Sequence, residues 1–179
     1  MTHTPSAKGI TQRLQVLEDK RAILNTLHAY GHCLDYGDEE GFMDCWTADA
    51  VLGWAVYDGP LHGHDRIRAG FRAHTHAPDA WHKHLLAEPQ ISLHGDTARV
   101  HSMFFRLDPY ISTAGPEIYA FGRYIDTLRR CADGRWRFAG RVVEKEAARA
   151  EAPALAADRR TSPTTESPTT VHPGADHGN

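Results

Sequence analysis

The sequence predicts an α+β domain, with helices first and then a curved antiparallel sheet that wraps over them and encloses a cavity. Three observations predict it. An apolar stripe with helical spacing runs from about Thr11 to Tyr36. Four strand-like runs separated by Gly-containing turns fill residues 84–143. Several of those runs exceed the usual strand length, which suits strong curvature. A sheet curled around helices leaves a cone with a closed end and an open mouth, which is a natural pocket for a small apolar molecule.

The first helix is read from Leu14, Leu17, Leu24, Leu27, Gly31 and Leu34, whose spacings of three, four and seven form one face. Gln12, Glu18, Asp19, Lys20 and Asn25 lie on the other face. Gly37 ends this helix, and Asp38 is placed to cap a short second one, Glu39 to Trp46, with Phe42, Cys45 and Trp46 on its buried side. Ala50 to Tyr57 reads as a strand that ends at the turn Asp58-Gly59-Pro60. Helical spacing returns from Gly63 to about His74, with Ile67 and Phe71 four apart, and Pro78 closes it. The long strands then follow as His84–Leu93, Thr97–Leu107, Glu117–Arg129 and Arg135 to about Val143. In the second of them Ala98, Val100, Ser102 and Phe104 alternate with Arg99, His101, Met103 and Phe105.

Residues 10–145 are thus expected to form one domain. Residues 1–9 read as a flexible N-terminus without the apolar core of a secretory signal. Residues 146–179 read as a polar Pro/Ser/Thr-rich tail, disordered beyond about Ala157. The chain is 41% hydrophobic and 24% charged, ordinary for a globular protein. A net charge of −3 gives none of the basic excess of a nucleic-acid binder. No apolar run approaches the roughly 18 residues that span a bilayer. Cys33, Cys45 and Cys131 are far apart and form no CxxC pair, so neither a disulfide framework nor a zinc–thiolate site is expected, and a reducing cytoplasm fits.

The chemistry points to Asp35 and His84. Asp35 follows Leu34 beside the apolar stripe, where an unpaired charge is costly, so it needs a partner. His84 opens the first long strand. A carboxylate that orients an imidazole makes a general base that works near neutral pH. His82 is a rival for that role, because residues two apart on a strand share a face. The 13 histidines include three His-x-His pairs, His62/His64, His74/His76 and His82/His84. No carboxylate is spaced in sequence to complete a ligand set with them, so no metal and no other cofactor is expected.

The chain resembles the SnoaL-like branch of the NTF2-like superfamily over roughly residues 10–145. The resemblance is carried by Cys33-Leu-Asp35-Tyr-Gly-Asp38, Phe42, Trp46-Thr-Ala-Asp49-Ala-Val51 and Gly63-His-Asp-Arg-Ile67. It continues through His84, Ile91, Gly95-Asp96-Thr-Ala98, Gly122-Arg-Tyr124-Ile-Asp126 and Asp133-Gly134-Arg-Trp136-Arg-Phe138. The motifs are specific for the fold and much less so for the reaction. An Asp ending the first helix and a His opening the next long strand are similar to the catalytic pair of lyases such as scytalone dehydratase. The bile-acid dehydratase also has a Tyr five residues before the Asp, as Tyr30 stands before Asp35. The resemblance implies His84 as base, Asp35 as its orienting partner and Tyr30 as hydrogen-bond donor to the substrate. It also places Arg141 near the pocket. Trp54, Phe104, Tyr119 and Phe121 are expected as substrate-contacting pocket wall.

The function expected is therefore a cofactor-independent, dehydratase-type lyase acting on a small apolar organic substrate. An isomerase or cyclase acting on a polyketide, terpenoid or steroid uses the same proton abstraction and stays open. So does a non-catalytic role as the small subunit of a ring-hydroxylating dioxygenase or as a ligand-binding scaffold. No nucleic-acid or membrane partner is expected, and the resemblance implies a homo-oligomer, dimer or trimer.

Overall fold

A computed structural model describes residues 7–54, 56–112 and 115–148. The tail expected to be disordered lies, from residue 149 on, outside the described residues, as do residues 1–6 of the expected N-terminus.

Three helices and six strands follow in the order α1 (Ala7–Tyr36), α2 (Glu39–Asp44), β1 (Trp46–Trp54), β2 (Leu61–His62), α3 (Gly63–Ala73), β3 (Lys83–His94), β4 (Thr97–Ser112), β5 (Gly115–Arg130) and β6 (Trp136–Ala148). The strands form one sheet ordered β2-β1-β6-β5-β4-β3. It does not close, and register shifts in the β3–β4, β4–β5 and β5–β6 pairs mark where it bends. The fold class is α+β, as expected. One ladder differs from the antiparallel expectation, because β1 runs parallel to β6, with Leu52 opposite Arg141 and Trp54 opposite Val143. Alternating burial shows that a segment is a strand but not which way its neighbour runs, so this pairing was not legible. The two-residue β2 is too short to carry a period that the sequence could show.

The helix α1 begins earlier than the sequence suggested, and its buried face is shifted. Asp19, Ile23, Leu27, Tyr30 and Leu34 are buried, whereas Leu14 and Leu17 are exposed. No residue from Lys8 to Glu18 is fully buried, so the apolar side chains there meet no core. Asp19, expected on the solvent face, instead ties α1 to the β5–β6 hairpin. It accepts hydrogen bonds from Arg130 Nη2 at 2.7 Å and from Trp136 Nε1 at 3.2 Å. Asp38 caps α2 as expected, its carboxylate accepting from the Gly41 N–H at 2.9 Å. Helix α2 is shorter than expected, and Trp46 opens β1.

The core between helices and sheet is aromatic. Tyr30 contacts Phe42, Trp46, Tyr124 and Phe138, with ring centroids 5.2–6.1 Å apart. Ala98, Val100, Ser102 and Phe104 of β4 face inward and are buried, and Arg99, His101 and Met103 are exposed, as the alternation predicted. On β5, Ala120, Gly122, Tyr124 and Asp126 form the matching inner row. Gly122 is there because nothing larger fits: a Cβ would stand 1.9 Å from the Glu144 carbonyl oxygen. Gly122→Ala is expected to lower stability by about 3 kcal/mol, read as a fall in the thermal or urea midpoint. A midpoint equal to wild type would show that β6 is free to move away.

Candidate functional site

The last turn of α1 delivers Asp35. Gly37 leaves the helix with φ +74°, in the left-handed region that favours glycine. The chain after α3 then folds back over this helix end. The Ala77 N–H donates to the Asp35 carbonyl at 3.0 Å, and His76 Nδ1 lies 2.5 Å from the Leu34 carbonyl oxygen. That return sets the start of β3 beside Asp35. Gly31, one turn earlier, lets the two elements approach, since a Cβ there would be 3.3 Å from the His84 carbonyl oxygen.

The Asp35 carboxylate is buried, and both of its oxygens are engaged by one residue. The His84 backbone N–H donates to Oδ2 at 3.0 Å, and His84 Nδ1 is 2.6 Å from Oδ1. His82 Nε2 stands 3.8 Å from the same Oδ1. Burial opposes ionisation of Asp35, but the His84 hydrogen bonds and the nearby imidazoles outweigh it and hold its carboxyl below the ordinary range. Because Nδ1 meets a carboxylate, which accepts only, Nδ1 carries a proton and Nε2 is the ring nitrogen free to act on another molecule.

Asp35, His84 and Tyr30 all line one cavity of about 270 Å³ between α1 and β3. Leu27, Gly31, Leu86 and Tyr124 complete its inner wall, and His28, His32, Tyr36 and Lys83 stand around it. Tyr30 and Asp35 are about 140° apart on an ideal helix, yet both line the cavity, which runs along α1 from Leu27 to Tyr36. Burial raises the Tyr30 phenol, with the Arg141 guanidinium opposing, so the hydroxyl stays a proton donor.

Arg141 lies beneath the cavity rather than in its wall. It is fully buried and makes two 2.7 Å hydrogen bonds to Asp126, and its guanidinium carbon sits 4.0–4.2 Å from the ring centres of Tyr124, Tyr30 and Phe138. Phe104 stacks behind Tyr124 at 4.7 Å. Trp54 does not line the cavity but stacks on His74 at 5.3 Å. Tyr119 lies under the Arg106 guanidinium, 4.7 Å away, and is not in the wall. Phe121 is exposed, because the strand alternation that turns Ala120 and Gly122 inward turns it outward. Of the expected wall residues, then, none is a cavity-lining side chain. Tyr124 takes that place, and Asp126 holds the arginine below. The i, i+2, i+4 row Gly122, Tyr124, Asp126 was the sequence signal for both.

His74, His82 and His84 form an edge-on cluster, with centroids 4.9 Å (His74–His82) and 5.2 Å (His82–His84) apart. One donor atom from each of Asp35, His82 and His84 lies within 4.8 Å of the other two, a set that can hold a metal ion. Sequence spacing does not reveal this set, because its carboxylate comes from α1. Burial is the main cause that pushes His82 down to about 4 and His74 to about 3. In the unfolded chain these rings take up protons below about pH 6.5. Stability from keeping them neutral is therefore complete above that pH and is lost as pH falls toward 4. The melting temperature is expected to drop across this window, and His82→Asn is expected to flatten the drop. An identical pH profile for the variant would contradict this.

Among solved structures, an NTF2-like protein with a cystatin-like fold from Novosphingobium aromaticivorans is similar at TM-score 0.67 and 22% identity, covering 78% of this chain and 90% of that one. A candidate scytalone dehydratase from the same organism is similar at TM-score 0.62 and 21% identity, with 73% and 86% covered. A candidate aromatic ring hydroxylase, also from that organism, is similar at TM-score 0.59 and 26% identity, with 73% and 91% covered. No curated protein matches by sequence. Among the described residues no helix is long and apolar enough to cross a membrane. Residues 15–142 match the SnoaL-like domain, and with the fold and the motifs above, the chain belongs to the SnoaL-like family.

Proposed function

We propose that this chain is a cofactor-independent lyase of the dehydratase type. His84 Nε2 takes a proton from a carbon next to an activating group. Asp35 holds the ring in the tautomer that leaves Nε2 bare and stabilises the imidazolium that forms. The Tyr30 hydroxyl donates to the leaving hydroxyl or to the developing enolate oxygen. The observation that carries this reading is the 2.6 Å contact between His84 Nδ1 and a buried carboxylate at the edge of a cavity. The apolar inner wall of Leu27, Leu86 and Tyr124 supports a small apolar substrate such as a polyketide, terpenoid or steroid. The similarity to a candidate scytalone dehydratase points the same way.

An isomerase or cyclase reading shares the first step. Incubation in deuterated water with a panel of apolar β-hydroxy ketones separates the readings. Loss of water from the product marks the lyase, and deuterium wash-in without loss of water marks isomerisation or cyclisation. Absence of both across the panel would count against proton abstraction. The similarity to a candidate aromatic ring hydroxylase keeps a subunit role as the second reading. Stable co-purification with an iron–sulfur subunit, without any carbon–hydrogen exchange, would favour it. Exposed Met103, Phe121 and Val142 on the outer sheet face support the expected homo-oligomer.

A further inference from the structure

His82 is unexplained by the Asp35–His84 pair. It is 1% exposed, and neither of its ring nitrogens has a hydrogen-bond partner among the described residues. A buried imidazole left this way costs free energy unless something binds it. Its Nε2 faces Asp35 Oδ1 at 3.8 Å, the oxygen that His84 Nδ1 meets at 2.6 Å. Asp35 forms ion pairs only with these two rings among the described residues. An unpartnered ring and a buried carboxylate without a Lys or Arg partner thus converge on one point.

We propose that Asp35, His82 and His84 form a binding site for a divalent transition-metal ion of the Zn²⁺ class, and that an ion bound there switches off the His84 base. Two imidazole nitrogens and one carboxylate oxygen suit zinc, whereas calcium and magnesium favour oxygen ligands. Ligand atoms on a tetrahedral zinc stand about 3.4 Å apart, so the 2.6 Å Asp35–His84 contact has to open by about 0.8 Å and the 3.8 Å Asp35–His82 contact has to close by about 0.4 Å. Among the described residues the donor atoms that converge within 4.8 Å come from Asp35, His82 and His84, and His74 is not among them. A water or a substrate oxygen takes the fourth position. Zinc uses the Nδ1 lone pair of His84, so the ring proton moves from Nδ1 to Nε2. That proton occupies the lone pair which removes a substrate proton. No net proton is gained or lost. The binding half of this inference is independent of the proposed function, and the inhibitory half rests on it.

The test is calorimetric titration of chelator-stripped protein with zinc chloride at neutral pH, for wild type, His82→Asn and His82→Gln, with ¹⁵N spectra of the imidazoles in wild type. The expected result is one ion per chain, at least tenfold weaker binding in both variants, and transfer of the His84 proton from Nδ1 to Nε2 as zinc is added. Equal binding by the variants would assign the zinc to surface histidines and overturn the site. So would absence of saturable binding, or an unmoved His84 proton in wild type, a readout that holds even if both variants fail to fold. Zinc binding without turnover of any substrate would sink the proposed function and leave this site standing. Turnover unaffected by bound zinc would leave the proposed function standing and overturn the inhibitory half of this inference.

Discussion

Replacing His84 by glutamine is expected to lower turnover by about 10²–10⁴-fold, the contribution of a positioned general base, with the melting temperature changed by only a few degrees. Glutamine cannot take the proton, but its amide can donate to Asp35 Oδ1, and the backbone N–H of residue 84 keeps its bond to Oδ2. The buried carboxylate therefore stays satisfied. Alanine differs. It leaves Oδ1 with His82 at 3.8 Å as its nearest partner, and an under-satisfied buried acceptor costs about 1–3 kcal/mol. His84→Ala is thus expected to lose both activity and stability, and His84→Gln activity alone. Asp35→Asn should fall with His84→Gln in activity, because an amide turned toward Nδ1 favours the tautomer with the proton on Nε2. A His84→Gln protein with undiminished turnover would remove His84 from the chemistry.

The largest stability loss is expected at Arg141. Its ion pair with Asp126 is fully buried on both sides. Removing one partner strands the other charge among Tyr30, Tyr124 and Phe138. Arg141→Met is therefore expected to cost about 3–5 kcal/mol in denaturant unfolding. The double variant Arg141→Met/Asp126→Leu should recover most of that loss, because it removes the charge as well as the bond. The pair pulls the Arg141 guanidinium upward against its burial, so the arginine stays charged at every ordinary pH. Cavity shape is the second readout, since Tyr30 and Tyr124 rest on the guanidinium. If the double variant is no more stable than the single one, the cost lies in lost packing rather than in a stranded charge.

How much of this was legible depends on how locally each feature is encoded. The strands β3 to β6 and the Asp38 cap could be read directly, since period-two burial and turn glycines lie within one segment. The buried face of α1 could not, because Leu14 and Leu17 keep helical spacing although no core meets them, and Asp19 is held by Arg130 and Trp136 from the far end of the chain. At the site, Asp35 could be singled out because a carboxylate beside an apolar stripe demands a partner. Which ring supplies it depended on the return of the chain after α3, where His76 and Ala77 bind the end of α1. Aromatic residue type alone points to Trp54, Phe104, Tyr119 and Phe121 as wall. Strand parity decided otherwise, turning Phe121 out and Tyr124 in. The histidine cluster joins residues near one another in sequence to a carboxylate 49 positions from His84, a distance no spacing rule reports.

The most direct measurement is a long-range ¹H–¹⁵N spectrum of the histidine side chains at mildly alkaline pH, in wild type and Asp35→Asn. It should show His84 with a protonated, strongly hydrogen-bonded Nδ1 and a bare Nε2, and the variant should lose that Nδ1 signal. A His84 ring carrying its proton on Nε2, or one indifferent to the loss of the Asp35 carboxylate, would contradict the account.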